Sequence, residues 1–89
     1  MRAIVAVMGS DRTGIIAKIS GVLLEVNANI LDIQQTTMQG IFTMIALVDI
    51  SMCNMDFCDM ASKLEEAGSD IGVVVSVWHE DIFNAMHKI

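Results

Sequence analysis

Apolar and polar residues recur along the chain in two periods, one typical of strands and one typical of helices. β-Branched residues over 2–8, bounded by Gly9, predict a first strand. Apolar residues from Ile15 to Val26 then recur at helical spacing and predict a first helix. We expect this helix to end at Asn27, because Asn tolerates the left-handed conformation that closes helices.

The middle of the chain predicts a β-hairpin. Segment 29–38 predicts a second strand, more polar toward its end, and 41–50 predicts a third, with a tight turn at Gly40 between them. Apolar residues occupy both faces of the third strand: Phe42, Met44, Ala46 and Val48 on one, and Ile41, Ile45 and Leu47 on the other. We therefore expect this strand in the centre of a sheet.

The last third of the chain predicts one helix, one strand and a short appendix. Segment 51–68 predicts a second helix that stops at Gly68, and 71–78 predicts a fourth strand. Segment 80–89 has the spacing of a short amphipathic helix. The order β-α-β-β-α-β is the ferredoxin-like pattern, an α+β fold with a four-stranded antiparallel sheet, and residues 1–89 are expected to form one domain.

The composition is apolar for so short a chain, with 54% hydrophobic residues among 89. A sheet that is apolar on both faces, or a subunit interface, would account for this excess. The residues expected to make the face opposite the helices apolar are Val5, Val7, Ile45, Leu47 and Val74. Large exposed apolar patches are uncommon on monomers, so we expect a homodimer or a larger oligomer. The alternative is that the C-terminal helix covers part of this face.

Charge and chain pattern exclude several classes of function. The net charge is −6, and the five Lys and Arg residues are scattered, which argues against binding nucleic acid. No apolar run has the length of a membrane span and no signal segment precedes the first strand, so we expect a cytoplasmic protein without membrane contacts.

Few side chains offer metal or catalytic chemistry. Cys53 and Cys58 lack the paired spacing of a metal site, and packing is the simpler explanation for both thiols. His79 and His87 neighbour no promising nucleophile, and a capping role explains Asp11 as well as acid–base chemistry would. We expect no metal, no cofactor and no enzyme activity.

The segment "GSDRTGII", residues 9–16, is the strongest candidate for a binding site. A nucleotide-binding P-loop would continue with Lys and then Ser or Thr, whereas Ile15 and Ile16 stand here. Two glycines at the start of a helix still permit the backbone N–H groups to bind an anion, either a carboxylate or a phosphate. The alternative is a turn capped by Ser10, Asp11 or Thr13, and the residues alone do not decide between the two.

The stretch "GSDRTGIIAKISGVLLEVNANILDIQQ" resembles the signature of ACT domains, small modules that bind amino acids and related metabolites to regulate enzymes or transcription. The matching residues are Asp11, Arg12 and Gly14 in the loop and Asn29 and Ile30 at the start of the second strand, while Thr13 replaces the usual Pro. The chain is similar to small stand-alone ACT proteins and to the ACT modules of glycine-cleavage repressors and formyltetrahydrofolate deformylases.

The resemblance implies the spatial strand order 2-3-1-4 and a small-molecule site at a dimer interface, where the loop of one subunit faces the second strand of its partner. The implied ligand is an amino acid or a similar carboxylate. The implied binding residues are Gly9, Ser10, Asp11, Arg12, Thr13, Gly14 and Ile15, with Asn29, Ile30 and Leu31. A protein regulated by the module is a further candidate partner. The alternatives are an interaction module without a ligand and a small enzyme.

Overall fold

Four strands form one antiparallel sheet, and two helices cover one of its faces. The computed structural model describes residues 1–10 and 13–86, so Asp11, Arg12 and residues 87–89 lie outside the described residues. The elements are β1 (Arg2–Ser10), α1 (Ile15–Glu25), β2 (Asn29–Met38), β3 (Ile41–Asp49), α2 (Phe57–Asp70), β4 (Val73–His79) and α3 (Glu80–Met86). The predicted βαββαβ order is confirmed.

The spatial order of the strands is β2-β3-β1-β4, which confirms the order implied by the resemblance. β1 pairs with both β3 and β4, and β2 pairs only with β3, so β2 and β4 form the two edges of the sheet. A bulge between Ile30 and Asp32 interrupts the β2–β3 register. The result is the ferredoxin-like α+β fold.

The core lies between the sheet and the two helices. Side chains of a strand alternate between faces, and the buried positions of β1 are Ala3, Val5 and Val7, which contact the helix layer. The prediction that Val5 and Val7 face away from the helices is therefore wrong by one residue. Ile4, Ala6 and Met8 take that face, which we call the open face.

The end of α2 corrects a second prediction. Gly68 does not stop the helix but is buried within it, and a Cβ at this position would overlap Cγ2 of Val75 on β4. The helix ends two residues later, and Gly72 provides the left-handed residue at φ 77°. Close packing of α2 on β4, rather than chain reversal, explains Gly68. At the other end, 51–56 form turns before α2 instead of its first turns.

Other turns follow the sequence closely. Asn27 follows Val26, the residue that caps the end of α1, and adopts the predicted left-handed conformation at φ 63°. Gln39 and Gly40 have φ 50° and 84°, the positive pair that two-residue hairpin turns favour. The N-terminus of α1 differs from expectation, because Gly14 occupies the cap position and no described side chain caps the helix.

The C-terminal appendix is helical as far as it is described. α3 spans Glu80–Met86, and the rest of the predicted 80–89 helix lies outside the described residues. Arg2 on β1 forms an ion pair with Glu80, which holds α3 at the end of the sheet where β1 begins. No helix in the described part of the chain is long and apolar enough to cross a membrane.

Candidate functional site

Among the described residues, no side chain caps the N-terminus of α1, where an anion could bind. Gly14 precedes the helix at φ 92°, a conformation that L side chains rarely adopt, and its carbonyl accepts the N–H of Lys18 at 2.9 Å. The N–H groups of the first helical turn have no partner within the helix. No acidic residue stands in the first turn of α1 itself, so no side chain within that turn neutralises the positive end of the helix dipole.

A depression of about 490 Å³ lies in front of this helix end. Its lining residues are Thr13, Gly14, Ile15, Ile16, Ala17, Gln35, Thr37 and Phe42. Buried Ile15 and Phe42 give it an apolar floor, while exposed Gln35 and Thr37 project from edge strand β2 and supply an amide and a hydroxyl. The depression therefore combines free backbone N–H groups, two polar side chains and an apolar base.

The predicted loop residues divide into three groups. Thr13, Gly14 and Ile15 line the depression as expected. Gly9 and Ser10 belong to β1, and Gly9 is required for packing, because a Cβ there would lie 2.8 Å from Cγ1 of Val73 on β4.

Two further loop positions, Asp11 and Arg12, lie outside the described residues. Their assignment to the site stays a prediction.

The predicted β2 residues lie at the other end of the sheet. Asn29, Ile30 and Leu31 begin β2, next to the end of β3 at Asp49, whereas Thr37 lies near its end. Eight residue steps along a strand are roughly 26 Å, so one chain does not bring Asn29 to its own α1 N-terminus. These residues reach such a depression only from a second copy.

Sequence reasoning missed Gln35, Thr37 and Phe42. The signal was present in the period of two along β2, because Ile33, Gln35 and Thr37 pair with the buried, helix-facing positions of β3. The polar end of this strand therefore lies beside the start of α1. A polar residue on the helix-facing side of an edge strand is unusual enough to mark a candidate wall of a site.

β2 is an edge strand whose protection against pairing is limited to one charged residue and the bulge between Ile30 and Asp32. Its ten residues contain neither Pro nor Lys, and Asp32 is its only charged residue. Leu31 is 46% and Ile33 39% exposed. Natural edge strands are normally shortened, charged or covered, so this one has the features of a strand that pairs with another chain.

A second depression, of about 400 Å³, lies at the opposite end of α1 and includes Asn29 and Asp49. The backbone N–H of Ser51 donates to the Asp49 carboxylate at 2.8 Å and lowers the pKa of that carboxyl below its ordinary value. Asn27 donates from Nδ2 to the carbonyl of Met52 at 2.8 Å. These contacts tie the turn after β3 to the end of α1, which is a structural role.

Metal and thiol chemistry find little support within residues 1–10 and 13–86. No three His, Cys, Asp or Glu residues of these segments lie close enough together to hold a metal ion. Cys53, in the loop before α2, and Cys58, on α2, are free thiols, which agrees with their predicted positions.

Comparison with known proteins places the chain among small regulatory modules. The ACT domain family matches residues 2–77. A UPF0237 protein of Methanocaldococcus jannaschii is 58% identical over 88 residues, covering 99% of this chain and 98% of that protein. The solved structure of an ACT domain protein from Streptococcus pneumoniae has a TM-score of 0.83 and 38% identity, with 98% of both chains covered.

Two larger proteins share the fold. A formyltetrahydrofolate deformylase from Pseudomonas putida matches with TM-score 0.80 and 12% identity, over 91% of this chain and 29% of that one. A glycine cleavage system transcriptional repressor matches with TM-score 0.71 and 17% identity, over 85% of this chain and 43% of that one. Both likenesses were expected from the sequence, and both are likenesses of fold.

Proposed function

The chain belongs to the ACT domain family, and we propose that it is a regulatory module that binds an amino acid or a similar carboxylate in a site shared by two copies. The observation that carries this proposal is the N-terminus of α1, which no described side chain caps and which opens on a depression of about 490 Å³ walled by Gln35 and Thr37. A carboxylate would accept from the N–H groups of the first turn.

The ligand contacts follow from the lining. With the carboxylate at the helix end, the rest of a small amino acid lies against Phe42 and Ile15, and the Gln35 and Thr37 side chains accept from its ammonium group. Asp11 is a further candidate acceptor for that group from the loop. A depression of this size holds a small metabolite more readily than a nucleotide cofactor.

The second copy completes the site through the edge of β2. Antiparallel pairing of β2 with the β2 of another copy, centred on Ile33, brings the start of one β2 (29–31) beside the end of the other, where Gln35 and Thr37 lie. The long edge with a single charge and the exposed Leu31 and Ile33 side chains support this pairing. Each dimer then has two equivalent sites, and the start of β2, where the resemblance predicts a role for Asn29, reaches each of them from across the interface.

Thermal unfolding with a panel of amino acids and folate-type metabolites tests the function. A ligand at a hundredfold its dissociation constant stabilises the folded state by about 2.7 kcal/mol. For a domain of this size the melting temperature rises by roughly 11–22 °C. If no compound of a broad panel shifts the unmodified protein, the interaction-module hypothesis takes precedence.

Matched variants on β2 test the location of the site. Gln35→Ala removes a wall of the depression and is expected to weaken the ligand-induced shift. Gln34→Ala is the control, because Gln34 is the neighbouring exposed amide on the opposite face of the same strand. Equal shifts in the two variants would place the ligand elsewhere.

Subunit mixing tests whether the site is shared. Asn29→Ala and Gln35→Ala each damage both sites of a homodimer. A mixed dimer has one site with Gln35 from one subunit and Asn29 from the other, both intact. Ligand binding recovered in one site per mixed dimer supports the shared site, whereas a site within a single chain gives no recovery on mixing.

The remaining parts of the proposal concern context. The family assignment and the sparse catalytic chemistry favour a binding module over an enzyme. The two free thiols support a cytoplasmic location, since thiols persist in reducing compartments. A protein whose activity depends on the bound ligand is the expected regulated partner.

A further inference from the structure

The open face of the sheet is apolar, and the described chain leaves it uncovered. Ile45 on β3 is 52% exposed and Val74 on edge strand β4 is 68% exposed on this face. The molecule measures only 19 Å along its shortest axis, about the thickness of one sheet and one helix layer. The seven residues of α3 extend about 10 Å and begin beyond the end of β4, so α3 does not cover the centre of the face.

On the open face, a row of large side chains that crosses the strands lies next to a row that contains two small ones. Ile4 pairs with Leu47 on β3 and with Trp78 on β4, which makes one row of large side chains across three strands. In the next row Ala6 lies between Ile45 and Ser76. The two small residues form the floor of a groove of about 330 Å³.

We propose that the open face packs against the open face of a second copy about a two-fold axis that crosses the strands between these two rows. Such an axis exchanges the rows. Trp78 and Ile4 of each subunit then fill the groove above Ser76 and Ala6 of the other, while Ile45 contacts the partner's Leu47. Both contacts form at once, as a two-fold interface requires.

Charge favours a second copy as the occupant. The helix layer, including the turn before α2, carries six carboxylates against two lysines, whereas the two central rows of β1, β3 and β4 carry no charge. Packing open face on open face puts the acidic helix layers on the outside, roughly 30 Å apart. The Debye length is about 8 Å at physiological salt, so their repulsion is screened. The charges of this face, Arg2, Asp32 and Asp49, lie outside these two rows of the three strands, so a basic partner would find no charge to neutralise at its centre.

The area is sufficient for a stable dimer. Four strands of up to ten residues form a face of roughly 19 by 30 Å. Side-chain relief raises its accessible area toward the roughly 800 Å² that each partner buries in a standard interface. The two sheets would pack about 10 Å apart with their strands nearly aligned, as in β-sandwiches.

Sedimentation of the unmodified protein and matched variants tests this interface, and it depends on no ligand. Ile45→Glu introduces a charge near the partner's Asp32 and Leu47, and is expected to weaken the face contact at least a hundredfold and halve the assembly mass. Leu24→Glu is the control, because Leu24 is 79% exposed on α1, away from the face. A monomeric unmodified protein, or equal masses for the two variants, would overturn the proposal.

A second pair of variants tests the shape of the contact. Ser76→Phe fills the groove without adding charge and is expected to block association, whereas Ser76→Ala leaves the groove open and keeps it. Trp78 is the only tryptophan of the chain, so its emission should move to longer wavelength when the assembly dissociates on dilution. Emission that does not change across the dissociation, with circular dichroism confirming folded variants, would contradict the proposed contact.

Discussion

Two glycines on the helices are expected to respond in opposite directions to the same substitution. Gly21 on α1 has no atom within 4 Å of an added Cβ, whereas the Cβ at Gly68 on α2 would overlap Cγ2 of Val75 and lie 3.2 Å from the carbonyl oxygen of Val73. Replacing a helical Gly by Ala stabilises a helix by about 1 kcal/mol. Gly21→Ala should therefore raise the free energy of unfolding by about that amount.

Gly68→Ala gains the same helix propensity, but the overlap of its Cβ with Val75 lowers the free energy of unfolding. Extra methyl groups in a well-packed core cost about 1–3 kcal/mol, and here one of the two obstacles is backbone, which favours the upper end. Since the propensity term is common to both variants, their difference isolates packing at about 3 kcal/mol. For a domain of this size the two melting temperatures should differ by roughly 12–24 °C.

Urea unfolding followed by circular dichroism measures this difference, at one protein concentration, because assembly is coupled to stability. A double-mutant cycle with Val75→Ala identifies the cause. Removing Cγ2 of Val75 should recover most of the cost of Gly68→Ala. Equal stability of Gly21→Ala and Gly68→Ala, or no coupling to Val75, would refute the close packing of α2 on β4.

The remaining predictions concern a charge, a core residue and a turn. Nζ of Lys63 lies 2.6 Å from a carboxylate oxygen of Glu25 and lowers the pKa of that carboxyl below 4.5. The pair therefore stabilises the fold above that pH and loses its effect as the pH falls through the folded-state pKa. The difference in unfolding free energy between the native protein and Lys63→Met, measured by urea unfolding, should disappear in acid. Met60→Ala should cost about 2–5 kcal/mol in the same assay because Met60 is fully buried, whereas exposed Cys58→Ala should cost under about 0.5. Asn27→Ala should cost about 1–2 kcal/mol more than Asn27→Gly, because φ is 63° there, and thermal unfolding of the two variants checks it.

The order of helices and strands was predictable because the spacing of apolar residues in each segment fits either a helix or a strand and not both. β2 and β3 joined by Gly40 form a hairpin for local reasons, and the helical spacing from Ile15 onward does not fit a strand. The resemblance added the spatial order of the strands, which local patterns do not contain. The predicted end of α2 was wrong because glycine occurs for two reasons, in turns and at close contacts. Gly68 lacks a side chain because α2 packs closely on β4, and it does not form a turn.

The face of the sheet on which a side chain lies was harder to predict than the strand to which the residue belongs. β1 has apolar residues at both parities, so its sequence does not show which face the helices cover, and Val5 and Val7 were placed on the wrong one. Only the pairing of three strands fixes the faces. The candidate site has the same difficulty, because Gln35 and Thr37 become its wall through the position of β2 beside α1, which involves residues far apart in sequence.

The two proposed contacts between copies have independent grounds and are geometrically compatible. The axis of the β2 edge contact passes through Ile33, and Ile33 pairs across the sheet with Ala46, which pairs with Val5 and through it with Val77. That level lies between the Ile4–Trp78 row and the Ala6–Ser76 row, where the axis of the face contact crosses the strands. The two axes therefore intersect at right angles and generate a closed tetramer rather than a filament. The ligand depressions open on the helix side of β2, so the face contact leaves all four accessible.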